Sequence, residues 1–267
     1  MNSIKPIARG FSLVELLVTG SVIAVLAVML AGAGWNVYKN SSLAISANNI
    51  RQLAAGGSAY LADNDHLFWK YRATSSNQPG AAIWWFGVEP SNSPAQEGQR
   101  LLDPSGGPLA GYIPAAIRPD PSFKMSGRPF KPKYQFGYIG VGYNVLLGGG
   151  WLPTTNTPCK RYWELPRPGE IVVFSTSAQI NTFQAPATPS NPMIEEFYGF
   201  DQGGPPWNNP ASIHFRHGSS AMVGFADGSC GFLPMDKSTL DTRAPKAAVG
   251  RFAPVGDAKY LLPATNN

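Results

Sequence analysis

The chain has 267 residues, a formal net charge of +5 and only 14% charged residues. This small excess of cations gives no reason to expect a nucleic-acid partner, because proteins that bind nucleic acids concentrate Lys and Arg on one surface. Aromatic residues make up 12% of the chain, beside 29 glycines and 25 prolines, which favours ordered loops between short strands and argues against a disordered protein.

The amino-terminal region pairs a short basic leader with a long apolar segment. Residues 1–10 carry Lys5 and Arg9, and residues 11–34 contain no charge apart from one acid. As a helix, the apolar segment would be about 36 Å long, enough to cross a bilayer core of about 30 Å. The two cations in front of it predict that the leader is cytoplasmic and that the rest of the chain lies on the far side of the membrane.

The single acid inside the apolar segment is Glu15. An ionised side chain at the centre of a membrane helix costs about 2.5–3.5 kcal/mol, so such a residue is a candidate functional group with an oppositely charged partner. The alternative is a simple membrane anchor with an incidental acid near its edge.

The order of residues 10–15, GFSLVE, in front of an apolar helix resembles the type IV prepilin and type II secretion pseudopilin signal. The resemblance implies that a prepilin peptidase cuts between Gly10 and Phe11 and methylates the new amino terminus at Phe11. It also implies that Glu15 pairs with the terminal amine of a neighbouring pilin or pseudopilin subunit during assembly. The helix would remain on the mature protein as a single pass through the inner membrane, with the head in the periplasm or at the cell surface.

Beyond residue 34, apolar residues recur at spacings of three and four, which predicts an amphipathic helix over residues 35–62. The apolar positions are Leu43, Ala47, Ile50, Leu53, Ala54, Tyr60 and Leu61. The positions assigned to the other faces are Asn48, Asn49, Arg51 and Gln52. We expect one helix from the membrane to about Ala62, weakened at Gly56-Gly57. The expected fold class is α+β and pilin-like, with this helix packed on an antiparallel, loop-rich β head formed by residues 63–267.

Asp227-Gly228 between two apolar runs is a strong signal for a β-hairpin with a two-residue type I′ turn. That turn would place Phe225 opposite Cys230 and Val223 opposite Phe232. We therefore expect these four side chains to form the core face of the hairpin.

Nine residues separate His217 from Asp227-Gly228, and this spacing resembles the H-X9-DG domain of many prepilin-like proteins. Three further segments fit the same resemblance, namely residues 142–149 (GYNVLLGG), 168–174 (PGEIVVF) and 47–66, the end of the helix. Ser175-Thr176-Ser177 follows the strand where the family often has an aspartate, and Ser229 stands where it commonly has a histidine, which weakens a metal or catalytic role for the motif.

Two alternatives exist for His217 and Asp227. They could form a His–carboxylate pair or hold a metal, or Asp227 could shape the turn while His217 ties the hairpin to a neighbouring loop. We prefer the structural alternative. His214 lies three residues before His217 in a stretch expected to be extended, so the two rings should not converge. We expect no metal or other cofactor, and calcium is the lesser alternative. Residues 63–66, DNDH, lack the glycine and the bidentate acid of an EF-hand loop, and no set of calcium ligands can be read from the sequence.

Three other groups of residues have competing interpretations. Trp84-Trp85-Phe86 with Trp69 and Tyr71 could form a sugar-binding platform, but core packing is preferred. The basic residues Lys124, Arg128, Lys131 and Lys133 are interpreted as a solvated loop, with an anionic polymer as the lesser alternative. Cys159 and Cys230 either form a disulfide or remain two free thiols.

The predicted function is a non-enzymatic, pilin-like or pseudopilin-like subunit of a type IV pilus or type II secretion-type filament. No nucleophile elbow, P-loop or dinucleotide-binding fingerprint occurs in the sequence, so we expect no catalytic residues. The alternative is a membrane-anchored module that binds a cell-envelope glycan or another surface polymer and uses the prepilin signal only for delivery.

Overall fold

The computed structural model describes residues 12–74, 79–113, 120, 122–123, 129–135, 139–151, 158–201 and 209–253. The chain divides into two compact units, Met1–Ser41 and Ser42–Asn267. Helix α1, Leu13–Asp63, is 51 residues long and passes from the first unit into the second. Within the first unit, Leu13–Leu30 has a mean hydropathy of 2.5 and none of it is buried. This segment is long and apolar enough to cross a membrane, and a signal sequence would have the same properties.

In the second unit, α1 continues unbroken to Asp63, which confirms the prediction of one helix to about Ala62. The backbone N–H of His66 donates to the Leu61 carbonyl (2.8 Å), and Asp65 and His66 both have φ of 53°. This left-handed pair satisfies a free carbonyl group and ends the helix.

α1 is continuous through Gly56-Gly57, where the absence of side chains permits close packing. A Cβ on Gly56 would lie 2.8 Å from the Tyr112 carbonyl oxygen, and one on Gly57 would lie 3.0 Å from the Trp69 ring. The helix is therefore not interrupted at the predicted weak point, and close contact from the head occupies the space that a side chain would need.

The head, residues 63–267, is mostly β-structure, with thirteen short strands among its described residues. They are β1 Arg72–Thr74, β2 Ala82–Trp84, β3 Gly87–Glu89, β4 Phe130–Lys131, β5 Val141–Asn144, β6 Val172–Thr176, β7 Gln179–Asn181, β8 Met193–Glu195, β9 Gly199–Phe200, β10 Ile213–His214, β11 Ser220–Phe225, β12 Cys230–Asp236 and β13 Val249–Phe252. The central sheet has the order β10-β13-β12-β11-β6-β5-β9, and two smaller sheets have the orders β1-β2-β3 and β4-β8-β7. The head is not wholly antiparallel, since β5–β9 and β4–β8 are parallel pairs joined by long connections.

The hairpin of β11 and β12 differs from its prediction by one residue. Phe225 pairs with Ser229 through Phe225 N–H to the Ser229 carbonyl (2.8 Å), and Gly228 N–H donates to the Phe225 carbonyl (3.0 Å). The loop is therefore three residues long, with Gly228 at φ 86°. This shift places Met222, not Val223, opposite Phe232, and Phe232 is 47% exposed.

Both faces of β11 are covered, because its alternate residues enter two different core clusters. Met222 packs in the cluster that contains Ile50 and Leu53 of α1, whereas Ala221 and Val223 pack in a second cluster. The predicted single core face was wrong because a slip of one residue exchanges the two faces of a strand.

The apolar face of α1 is buried as predicted at Ala47, Ile50, Leu53, Ala54 and Leu61. Asn49, which the pattern assigned to another face, is also buried, together with Ser42 and Ser46. The contact of this part of α1 with the head is therefore partly polar.

Candidate functional site

The predicted cleavage residues Gly10 and Phe11 lie outside the described residues. Glu15 lies in the first turn of α1, where its Oε2 accepts the Ser12 backbone N–H (2.9 Å) and its own N–H donates to Ser12 Oγ (3.2 Å). This reciprocal pair is a capping box, which satisfies two backbone donors at the helix start. The sequence pattern of a capping box, Ser-x-x-Glu before an apolar run, is present at Ser12 and Glu15, but it was not among the features predicted from the sequence.

The two ends of the H-X9-DG motif bind different partners. His217 Nε2 lies 3.0 Å from Ser46 Oγ on α1. Asp227 Oδ1 accepts from the backbone N–H of Ser229 (2.9 Å) and from its hydroxyl (2.6 Å). Asp227 and Gly228 thus shape the turn, and His217 ties the hairpin to the helix, rather than to a loop as expected.

The segments that carried the resemblance meet around β6 and the β11–β12 turn. Ala226 N–H donates to the Ile171 carbonyl (2.9 Å), and Asn144 Nδ2 donates to the Val172 carbonyl (2.9 Å). A Cβ on Gly169 would lie 2.8 Å from Asp227 Oδ2. Each of these residues therefore satisfies a backbone group or permits a close approach inside the head.

His217 belongs to a buried polar cluster between α1 and the head, which we name the polar junction. Its members are Ser46, Asp120, Ser122, His214, Arg216 and His217. Arg216 is its centre: it pairs with Asp120 Oδ2 (2.6 Å) and also donates to Ser122 Oγ (3.0 Å) and to the Gly140 carbonyl (3.0 Å). Its Nη1 lies 3.1 Å from His214 Nδ1.

The Ser46 hydroxyl donates to Asp120 and also contacts His217 Nε2. Because the Ser46 proton is directed at Asp120, His217 is the donor in the second contact, which assigns its proton to Nε2. His214 and His217 therefore belong to one cluster but contact different partners, Arg216 and Ser46, and His214 lies in the extended strand that was expected.

The electrostatics of the polar junction favour an ionised aspartate and neutral histidines. Burial would raise the pKa of Asp120, but the Arg216 guanidinium and the Ser122 and Ser46 hydroxyls lower it to about 2. Burial, with the charge of Arg216, lowers the pKa of His217 to about 4 and that of His214 well below its ordinary value. This arrangement fastens the head to the helix at neutral pH and leaves the histidines uncharged.

A second buried cluster of charges lies around β4 and β8. Lys131 is fully buried and pairs with Glu97 (3.1 Å) and Glu195 (3.4 Å), and Lys133 pairs with Glu195 (2.9 Å). The interpretation of Lys131 and Lys133 as a solvated loop was wrong, because buried carboxylates balance both charges. Lys124 and Arg128 lie outside the described residues.

Next to this cluster, Glu196 is fully buried. It accepts the Ile139 N–H (2.7 Å) and the Tyr198 hydroxyl (2.9 Å). Burial raises the pKa of Glu196 to about 7, although both hydrogen bonds and Lys133 act in the opposite direction. The side chain is thus half-protonated near neutral pH.

The aromatic residues proposed as a sugar platform are mainly core. Trp85 is fully buried, and its Nε1 donates to the Tyr198 carbonyl (2.7 Å). Trp69 stacks on Tyr143 with ring centroids 5.1 Å apart. Only Trp84 in this group is half-buried, so the set offers no open aromatic surface.

Among the described ranges, no group of three or more His, Cys, Asp or Glu residues is placed to hold a metal ion. Cys159 and Cys230 are both free thiols. Residues 63–66 form the polar exit of α1, in which Asn64 Nδ2 donates to the Tyr60 carbonyl (2.8 Å) and Asp65 pairs with Arg161.

A scan against models of protein families, a search of curated proteins and a search of solved structures each give no match to this chain.

Proposed function

We propose that this chain is a pilin-like or pseudopilin-like subunit, anchored in the inner membrane by α1 and assembled into a type IV pilus or type II secretion-type filament. Prepilin peptidase would remove residues 1–10 and methylate Phe11. The proposed role is assembly and not catalysis.

The observation that carries the proposal is the change of surroundings along one unbroken helix. Leu13–Leu30 is apolar and wholly exposed, whereas α1 from Ala47 to Leu61 buries its apolar face in the head. A helix that exposes apolar side chains over its first part requires lipid or other apolar helices as a partner. The GFSLVE order places the predicted cleavage point directly in front of that exposed part.

In this mechanism, processed subunits wait in the membrane and enter a bundle of apolar helices. The Glu15 carboxylate pairs with the methylated amine of Phe11 in a neighbouring subunit, which relieves the cost of both charges in an apolar environment. The Ser12 capping box engages Oε2 of Glu15, and the other carboxylate oxygen lies outside that box.

Two substitutions separate the charge of Glu15 from its capping role. Glu15→Ala removes both, whereas Glu15→Gln keeps an oxygen for the Ser12 N–H but removes the charge. We expect both variants to enter the membrane and to fail in filament incorporation, measured as protein in sheared or crosslinked filaments. Normal incorporation of the Gln variant would show that the charge of Glu15 is not required and would overturn the mechanism.

Mass analysis of the amino-terminal peptide tests processing directly. The expected terminus is Phe11 bearing one methyl group. An intact Met1, or a terminus beyond residue 34, would contradict the proposal, because neither leaves a free amine beside Glu15.

A further inference from the structure

A prominently exposed aromatic side chain of the head is Trp163, which is 59% exposed. The Arg161 guanidinium lies over its ring, 5.1 Å from the centroid. The His66 ring approaches at 5.6 Å and 64°. We name Asp65, His66, Arg161 and Trp163 the Trp163 surface. One face of the indole is thus covered by a cation, and much of the ring remains open to solvent.

The parts of the Trp163 surface are held in place by contacts among themselves. Arg161 pairs with the Asp65 carboxylate and donates to the Asp65 carbonyl (2.6 Å). Tyr162 N–H donates to the His66 carbonyl (2.8 Å), and Leu67 and Arg161 form a β-bridge. A ligand would therefore meet a largely ordered surface, which lowers the entropic cost of binding.

A groove of about 410 Å³ adjoins this surface at Leu67. Its lining is mainly apolar and aromatic, with a single charged side chain, and consists of Tyr60, Leu67, Phe68, Trp69, Lys70, Ala73, Ile83, Gly106, Gly107, Pro108 and Cys159. That volume is within the range of ligand-binding sites, about 300–1,000 Å³.

The chemistry of the surface fits a sugar ring. A pyranose presents an apolar face of C–H groups, which packs on an aromatic ring, and a rim of hydroxyls, which bind carboxylates, guanidinium groups and imidazoles. We propose that the Trp163 surface and its groove bind a neutral saccharide chain, with one sugar stacked on Trp163. An anionic polymer fits less well, because Asp65 already neutralises Arg161.

This site is separate from the buried Trp85 and from Glu15, so it adds a binding activity to the proposed assembly role. Binding by the unassembled protein would hold even if the assembly proposal failed.

The test is calorimetric titration of the full chain in micelles of a detergent without a sugar headgroup. The probes are chitohexaose, cellohexaose and xylohexaose, with dextran sulfate as the anionic comparison. We expect saturable binding of at least one neutral hexaose. Trp163→Ala should weaken it by about tenfold or more, as truncation of a central aromatic anchor does.

Phe183→Ala is the matched control, because Phe183 is 71% exposed and lies in a different loop. It should bind as the unaltered chain does. Trp163→Phe keeps an aromatic face, so its affinity for the hexaose should lie between those of the Trp163→Ala and unaltered proteins. This variant also serves as the test if Trp163→Ala does not fold. Absence of binding to every neutral probe, binding of dextran sulfate alone, or equal affinity of the Trp163→Ala and unaltered proteins would overturn the proposal.

Discussion

At the scale of single residues, the same turn between an aspartate and a serine occurs several times in the head, and at one of these turns we expect a larger contribution to stability. Asp103, Asp120, Asp227 and Asp236 each accept the N–H and hydroxyl of a serine two residues later. Only Asp120 in this set is also buried and paired with Arg216 in the polar junction. Because the Asp120 turn is buried against α1, it links the helix to the head, whereas the other three turns shape their own loops.

This difference predicts unequal costs for the same substitution. Asp120→Ala leaves Arg216 buried without its carboxylate and should lower the free energy of unfolding by about 3–5 kcal/mol. Asp103→Ala loses the same turn at an exposed site and should cost about 0.5–2 kcal/mol. Urea unfolding in micelles measures both. Equal losses in the two variants would mean that the ion pair adds nothing.

Glu196 predicts how stability changes with pH. Its pKa is about 7 in the folded head and ordinarily 4.5, so between these values the folded state keeps a proton that the unfolded chain has lost. The contribution of Glu196 is therefore complete below pH 4.5 and is lost as pH rises through 7. Glu196→Gln can keep both hydrogen bonds and does not titrate.

The Glu196→Gln variant should have the same free energy of unfolding as the unaltered protein at pH 4.5. At pH 8 its free energy of unfolding should be higher by up to about 3 kcal/mol. His217 changes stability in the opposite sense, because its folded pKa of about 4 makes stability fall as pH drops below 6.5. Since both proteins contain His217, its effect cancels in the difference. A difference that does not change with pH would contradict the shifted pKa.

At the scale of elements, α1 shows a conflict between helix propensity and packing. Alanine is favoured over glycine in a helix by about 1 kcal/mol. Gly56→Ala, however, would bring its Cβ to 2.8 Å from the Tyr112 carbonyl oxygen. We expect it to destabilise the head by about 1–3 kcal/mol, measured by thermal unfolding.

The exposed neighbour Ala55 supplies the control. Ala55→Gly should cost about 1 kcal/mol, as propensity alone requires. If Gly56→Ala were stabilising, the close packing of α1 on the Tyr112 segment would be refuted.

At the scale of the whole molecule, the proposed anchor can be tested without reference to filaments. Arginine at the centre of a membrane helix costs about 2.5–3.5 kcal/mol per residue. The double variant Val22→Arg with Leu26→Arg should therefore leave the membrane fraction during a carbonate wash. The control, Ser41→Arg with Ala62→Arg, adds the same charge outside Leu13–Leu30 and should stay in the membrane fraction. Retention of the first variant would argue against an anchor.

The long helix and its buried face were predictable from the sequence, because a period near 3.6 and an uncharged run depend only on local order. The capping box of Ser12 and Glu15 was also present in the sequence as Ser-x-x-Glu. Such features need no distant contact to form.

The hairpin register and the polar junction were decided by tertiary structure. Asp227-Gly228 is compatible with loops of two or three residues, and the bond from Ala226 N–H to the Ile171 carbonyl accompanies the longer loop. The two-residue turn instead falls at Gly218-Ser219, with φ of 60° and 66°.

The polar junction joins Ser46, Asp120 and Arg216 across 170 positions of the chain, counted from 46 to 216. No spacing rule connects residues so far apart, so their contact follows only from the packing of α1 on the head. The sequence by itself determined the helix and the composition of the head. Packing determined which of the polar residues became buried partners, because burial is a property of the assembled chain.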